Sequence, residues 1–284
     1  MLRSLFAGIS GLRVNQTMLD VTGNNIANAN TTGFKASTTV FQDTLSQMLT
    51  GASAPSGARG GTNPIQVGLG VQVGAISTNF GQGSAQTTGR TTDLMIQGDG
   101  MFVVQNGNEQ LYTRAGAFNF DQNGDLVSPD GYFVKGFTYD QKTGTKSATA
   151  GKVTLPKTWD DGTNPPADIV SYNIGADGTV RGIFSDGKQH DIAQLAIADF
   201  NNPMGLEKVG DTCYRESANS GTAQVDVAGQ GRRGTLVSGA LEMSNVDLAA
   251  EFTNLILAQR GFQASSRVIT TSDQVLEDLV NIKR

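Results

Sequence analysis

His190 and Cys213 are the single histidine and single cysteine of this 284-residue chain, so one thiol–imidazole dyad is the only cysteine-based nucleophile its composition permits. Neither residue is flanked by anything resembling a nucleophile motif, and the expectation is a surface histidine and a core thiol. A lone cysteine also excludes an intrachain disulfide and any multi-thiolate metal site. Asp121-Gln-Asn-Gly-Asp125 opens like a calcium loop, but Leu126 stands where that loop has Gly and Tyr132 where it has Glu, so it reads as a hairpin turn. Gly68-Leu-Gly-Val-Gln-Val-Gly74 misses the dinucleotide pattern by one residue, and Gly98-Asp-Gly100 is too short to carry it. These glycines are expected at bends and close strand contacts. No catalytic residue, cofactor or metal is assigned, and the chain is expected not to be an enzyme.

Bulk composition narrows the class. Charged residues make up 17%, and Gly alone accounts for 36 positions, which describes turn-rich β structure better than disorder. The net charge is -5, with Arg232-Arg233 and Lys283-Arg284 the adjacent basic pairs, so no nucleic-acid partner is expected. No run approaches the roughly 20 apolar residues a membrane helix needs, so no membrane insertion is expected. The first residues, interrupted by Arg13, Asn15 and Gln16, make a poor signal peptide, and composition alone points to the cytoplasm.

Two helices frame the chain. Leu248, Leu255, Phe262, Ile269 and Leu276 recur every seven residues between Ser244 and Arg284, a narrow coiled-coil stripe. Ser244 with Asp247 is its start signal, Lys283 and Arg284 suit its negative end, and its length would be roughly 60 Å. At the other end Leu5, Leu12, Leu19 and Ile26 repeat the spacing on a helix from about Leu2 to Asn28, widened by Phe6, Ile9 and Val21. The two seams are expected to pair. Positions four after the C-terminal stripe read Phe252, Gln259, Ser266, Asp273 and Val280, so a lone hairpin would be marginal and neighbouring copies are expected to complete it.

Between the helices, Phe41, Leu45, Met48 and Leu49 suggest a second short helix, and residues 50–64 offer nothing for a core, as in a linker or a loop ordered by other subunits. From Gly68 short apolar runs alternate with the hairpin dipeptides Asn106-Gly107, Asn123-Gly124 and Asp130-Gly131, expected as type I′ turns. Residues 138–171, with Trp159, Asp160-Asp161 and Pro165-Pro166, read as an excursion too short, at about 34 residues, to build its own core. The fold class is therefore mixed α and β, with terminal helices paired as a coiled coil and an antiparallel all-β body between them. The expected segments are a helical stretch at 1–49, a linker at 50–67, β structure at 68–137 and 172–239 around the excursion 138–171, and a long helix within 240–284.

The ends of the chain resemble a known family. Asn24-Asn-Ile-Ala-Asn-Ala-Asn-Thr-Thr-Gly-Phe-Lys35, with Asn24, Asn25, Asn28, Gly33 and Phe34 prominent, resembles the N-terminal signature of bacterial flagellar rod and hook axial proteins. Ser244-Asn-Val-Asp-Leu248 and Leu257-Ala-Gln-Arg-Gly-Phe262, which contain Asn245, Asp247, Gln259 and Arg260, resemble the C-terminal one. Within the family the middle is most similar to the hook members, through Asp93-Leu-Met-Ile-Gln-Gly-Asp-Gly-Met-Phe102 and Gly234-Thr-Leu-Val-Ser-Gly-Ala-Leu-Glu242, while the extra stretch after Met48 resembles in length an insertion of the distal rod members. The resemblance implies a self-assembling tube: paired helices line an export channel, a β layer surrounds them, and the whole transmits torque as a flexible hook. The alternative is a distal rod, or drive shaft, and a secreted thiol hydrolase using Cys213 and His190 is the remote one. Implied partners are further copies of the chain, the distal rod, hook–filament junction proteins, a hook cap and the flagellar export apparatus. The implied location is the extracellular flagellum, reached without a cleaved signal peptide.

Overall fold

The computed structural model describes residues 2–55, 60–141, 144–159 and 166–282. The chain forms two units: Met1–Ala27, Ala36–Asn79 and Val246–Arg284 make the first, and Asn28–Lys35 with Phe80–Asn245 make the second.

The second unit is built on an antiparallel sheet of thirteen strands among the described residues. Its centre is Met101–Asn106, Phe133–Thr138 and Gln189–Asp199, the longest strand. Successive side chains on a strand point to opposite faces, and here both faces are covered. Phe102, Val104, Leu111, Leu195 and Ile197 enter one core, while Met101, Val103, Tyr112, Ala196 and Ala198 enter another. That double burial explains why Met101-Phe-Val-Val104 and Ile192-Ala-Gln-Leu-Ala-Ile197 are nearly continuous apolar runs. Edge-to-face rings fix each side, Phe102 on Phe118 at 5.1 Å and Tyr112 on Phe200 at 4.8 Å.

The expected excursion is part of this core. Gly151–Lys152, Thr158–Trp159 and Ala167–Ile174 are strands of the large sheet, and Val153, Trp159 and Ala167 are buried with Phe184 and Ile192. Trp159 also lies against His190, ring centroids 4.8 Å apart. A segment too short for a core of its own adds strands to an existing one. Asp160, Asp161 and Pro165 lie outside the described residues.

The turns correct one expectation. Asn106 pairs with Glu109, so the turn residues are Gly107-Asn108, and Gly107 (φ 58°) alone has positive φ, as a type II′ turn requires. At Asn123-Gly124 and Asp130-Gly131, too, only the glycine has positive φ (89° and 83°). The pair with two positive φ values is Asp211-Thr212 (50° and 56°), between Gly210 and Cys213. Hydrogen bonds from Tyr132 Oη to Asp211 Oδ2 (3.2 Å) and from Thr113 Oγ1 to the Thr212 carbonyl (3.0 Å) hold that uncommon conformation. Asp121 Oδ1 accepts from the backbone N–H of Asn123 and of Asp125, so the calcium-like stretch is a side-chain-closed turn as expected.

In the first unit, α1 is Leu2–Ala27 and α2 is Leu248–Ile282. The second short helix is absent: Ser37–Asp43 pairs with Val71–Thr78, and Ser46–Thr50 pairs with Ile65–Gly68. Phe41, Leu45 and Leu49 fit a helical spacing of four, but the Thr-Thr-Val-Phe run that leads in favours an extended chain. The supposed linker at 50–67 continues this ribbon, because Ser53 and Thr62 exchange backbone hydrogen bonds of 3.0 and 3.1 Å. Residues 56–59 lie outside the described residues. Ser244 does not start α2: residues Ala240–Glu242 are a strand, and Asp247 Oδ1 caps the helix by accepting from Ala249 (2.9 Å) and Ala250 (3.3 Å). The 35 residues of α2 span about 52 Å at 1.5 Å per residue, shorter than expected. Lys283 and Arg284 lie outside the described residues.

Because Trp159 closes one core, Trp159→Ala should destabilise the protein by about 3 kcal/mol in denaturant unfolding. A separate, dispensable excursion would lose almost nothing.

Candidate assembly interface

The terminal helices meet through small residues. Ser4 Oγ lies 3.3 Å from Ser272 Oγ. A Cβ placed on Gly8 would lie 3.1 Å from Ile269, one on Gly11 would lie 2.8 Å from Ser265 Oγ, and one on Gly261 would lie 2.5 Å from Asn15 Oδ1. Positions rise on one helix as they fall on the other, so α1 and α2 run antiparallel with their backbones close.

Of the expected seam, Leu5, Leu12, Leu19, Ile26, Leu255, Ile269 and Leu276 are half-buried, but Leu248 and Phe262 are exposed. The positions that accompany the α2 stripe lie three residues on, not four: Glu251 and Ala258 are buried, Ser265 and Ser272 half-buried. Of the positions four residues on, Phe252, Gln259, Asp273 and Val280 face outward and Ser266 is half-buried, so the packed row lies mainly three residues on.

The signature residues divide between the two units. Asn25, 1% exposed, donates to the Ser37 carbonyl (2.8 Å) and to Glu251 Oε1 (3.1 Å), and its Oδ1 accepts from the Ser37 N–H (3.0 Å). One amide thus ties α1, a strand and α2 together. Burial pushes the Glu251 carboxyl above the usual range. In the second unit Asn28 Oδ1 accepts from the Thr31 hydroxyl, Gly33 takes φ 71° where a Cβ would sit 2.4 Å from the Ala115 nitrogen, and Phe34 lies 5.2 Å from Lys208 Nζ. Asn245 Nδ2 donates to the Gly81 carbonyl at 3.0 Å. Asn24, Gln259 and Arg260 are at least partly exposed, Arg260 bonding Gln263 one turn along.

Sequence reasoning missed the residues at the centre of that group. Lys35 Nζ and Glu242 Oε1 are 2.6 Å apart with both side chains fully buried. Lys35 also donates to the Gly81 carbonyl (2.8 Å), and Glu242 accepts from the Gly83 N–H (2.9 Å) and lies 3.4 Å from Arg114 Nη1. The Gly33 N–H bonds the Glu242 carbonyl at 2.7 Å. Burial pulls the Lys35 ammonium below the usual lysine range, with Glu242 opposing the shift. The signal available was position: one charge closes each signature-bearing segment next to apolar neighbours.

The thiol and imidazole do not meet. Cys213 is buried beside Thr113, whereas His190 contacts Trp159, Phe184 and Asp186. Burial pushes the Cys213 thiol up to about 11, which leaves little thiolate near neutrality. No group of three or more His, Cys, Asp and Glu residues fit to hold a metal occurs among the described residues.

Three family models match in chain order: flagella basal body rod protein at residues 5–35, the D1 domain of flagellar hook protein FlgE/F/G at 95–182, and the C-terminal region of flagellar basal body rod FlgEFG protein at 237–282. The flagellar basal-body rod protein FlgG of Bacillus subtilis is 48% identical over the full length of both chains. This chain belongs to the flagellar rod and hook axial protein family. The FlgG of Caulobacter vibrioides is 34% identical over 97% of each chain, and the flagellar hook protein FlgE of Borreliella burgdorferi is 31% identical over all of both. A flagellar axial protein is a structural component of the flagellum, and the fold agrees: a mostly β body with a helix at each end.

Glu242→Leu should cost about 3–5 kcal/mol, because it leaves buried Lys35 and Arg114 without their carboxylate. Lys35→Met should cost less, since Glu242 keeps Gly83 and Arg114; denaturant unfolding of both variants reads the order. Cys213 sets a second expectation. The folded protein retains the thiol proton where the unfolded chain loses it, so this contribution is complete below pH 9.0 and lost as pH rises to about 11. Cys213→Ala should flatten the fall in stability across that window.

Proposed function

We propose that this protein is a subunit of the flagellar rod, assembling into a tube through its first unit. The observation that carries the reading is where exposed apolar side chains sit. Among the described residues, all the large exposed ones except Val170, Met204, Val209 and Val237 belong to the first unit. Phe252, Ile256, Leu257, Phe262 and Val268 on α2, and Phe6 and Ile9 on α1, have no cover within their own unit. Contiguous exposed apolar surface marks an interface. Copies of the chain supply it, and heptad seams such as Leu248 and Phe262, exposed in one copy, pack as coiled coils between copies.

Two observations favour a rod over a hook. The Bacillus subtilis rod relative aligns over 285 residues, matching this chain almost residue for residue, whereas hook relatives need alignments of 441 and 463 residues. The ribbon at 46–68 is the second. Pairing and alternation place Leu45, Ile65, Val67 and Leu69 on one exposed face, with the exposed Leu49 at the register break between Met48 and Thr50, which suits a bracket against a neighbour better than a loose linker. The hook is the second reading, supported by hook relatives that match from end to end. Adjacent partners are then the hook above and further rod proteins below, with delivery by the flagellar export apparatus.

Electron microscopy of basal bodies from a strain lacking the protein discriminates the readings: missing distal rods are expected, and complete rods without hooks would overturn the rod assignment. Replacing Leu49 and Ile65 by Ser should slow assembly while leaving the unfolding of the β unit unchanged; unaltered assembly would remove the bracket.

A further inference from the structure

The antiparallel helices of the first unit are unequal in length, and α2 outruns α1. Ser4 Oγ lies 3.3 Å from Ser272 Oγ and α1 has begun by Leu2, so little of α1 remains to face anything past Ser272. α2 nevertheless continues to Ile282, about 15 Å further at 1.5 Å per residue. The face that α2 turns toward α1 carries Ser265, Ile269 and Ser272, and helical steps of three or four extend that face to Leu276 and Val280. Val280 is 69% exposed. Residues 273–282 hold Asp273, Glu277 and Asp278 and no basic residue. The same unit has an open groove of about 540 Å³, in which Phe6 and Ile9 of α1 face Leu69, Val71 and Val73. It lies on a different face of α1 from Gly8, Gly11 and Asn15, which meet α2. Arg13 is the one charged residue among the described residues that line it.

Overhang and groove are complementary. One is an apolar stripe with carboxylates beside it, and the other is an apolar slot with a guanidinium in its wall. Because α2 is a continuous helix packed on another face of α1, the overhang cannot turn back into the groove of its own copy. We propose that the groove is a docking site for the C-terminal overhang of α2 from a second copy, with Leu276 and Val280 entering between α1 and the Val71–Thr78 strand and Glu277 lying beside Arg13. A helix laid by its apolar face into an apolar groove is a recurring mode of recognition. Burial of the apolar side chains drives the contact, and the exposed ion pair chiefly sets its register. Donor and acceptor are different surfaces, so the contact is head-to-tail and repeats from copy to copy, as an open helical assembly requires. This inference rests on self-assembly through the first unit and not on the choice of rod over hook.

Disulfide cross-linking of the full-length chain tests it, in a Cys213→Ala background so that only introduced thiols react. Val280→Cys on one copy, mixed with Gln72→Cys in the groove of another, should give a mixed disulfide on mild oxidation, identified by mass spectrometry of the linked peptides. Val280→Cys mixed with Val170→Cys, in the second unit, should not, and an equal yield there would overturn the proposal. Arg13→Glu should lower the yield between positions 280 and 72 by roughly twofold or more, and Glu277→Arg on the partner copy should restore it; a yield indifferent to both reversals would overturn the placement of Glu277 beside Arg13. Far-UV circular dichroism of each variant confirms its fold. Phe262→Cys reads the underlying self-assembly separately. If copies cross-link through position 262 but not between positions 280 and 72, the first unit assembles and this docking contact is overturned; if neither link forms, both readings fall.

Discussion

Three of the four places where the chain enters or leaves the second unit lie close to one buried ion pair. Taking Lys35 and Glu242 out of water costs several kcal/mol per ion, and only saturated geometry offsets it. The carboxylate is engaged on both oxygens: Glu242 receives Lys35 and the Gly83 N–H on one and Arg114 on the other, while Lys35 also reaches the Gly81 carbonyl. The chain passes between its two units four times: just after Ala27, just after Lys35, just before Phe80 and just after Asn245. The last three passages lie within a few residues of a member of the cluster. The pair therefore anchors, inside the β unit, three of the four places where the chain departs or returns.

The first unit relies on different physics. Its helices approach through Gly8, Gly11, Ser265 and Gly261, where a Cβ at any of the three glycines would come too close to its neighbour. Small residues give close, directional contact but bury little apolar area, so the area-proportional driving force is weak there. The Asn25 amide, bonded to Ser37 and Glu251, supplies part of the order that apolar burial does not. Large apolar side chains remain on the outside of the same helices. Order within the unit and exposed apolar surface are thus assigned to different faces.

Much of this was legible in the sequence, and the failures have physical causes. The seven-residue spacing revealed both helices and their approach to each other, because only a helix brings residues seven apart back to the same side over so many turns. It did not reveal the second row of contacts, because Glu251, Ala258, Ser265 and Ser272 are small or polar and a search for large apolar residues passes over them. The ribbon at 46–68 resembles a helix in sequence since its apolar face is uncovered: with no burial to impose alternation, Met48-Leu49 places apolar side chains on both faces. Trp159 escapes sequence reasoning because a two-residue strand carries no period at all. Lys35 and Glu242 lie 207 residues apart, and nothing local announces that one charge will need the other.

Why a buried salt bridge occupies the centre follows from what the chain carries on either side of it. An apolar cluster of similar volume could match its stability, so stability alone does not explain the choice. The segments that the crossings lead to, however, hold an unusual load of uncovered apolar surface, on α1, α2 and the 46–68 ribbon. An apolar clasp would accept any of those side chains in place of its own. A lysine and a carboxylate cannot: each is buried at tolerable cost only when it meets the other, with Gly81, Gly83 and Arg114 in register. Misdocking of a helix or ribbon side chain would strand a charge, a penalty of several kcal/mol that a purely apolar joint lacks. The ion pair makes the β unit selective about its own connections, so the exposed apolar faces of the first unit do not compete for them.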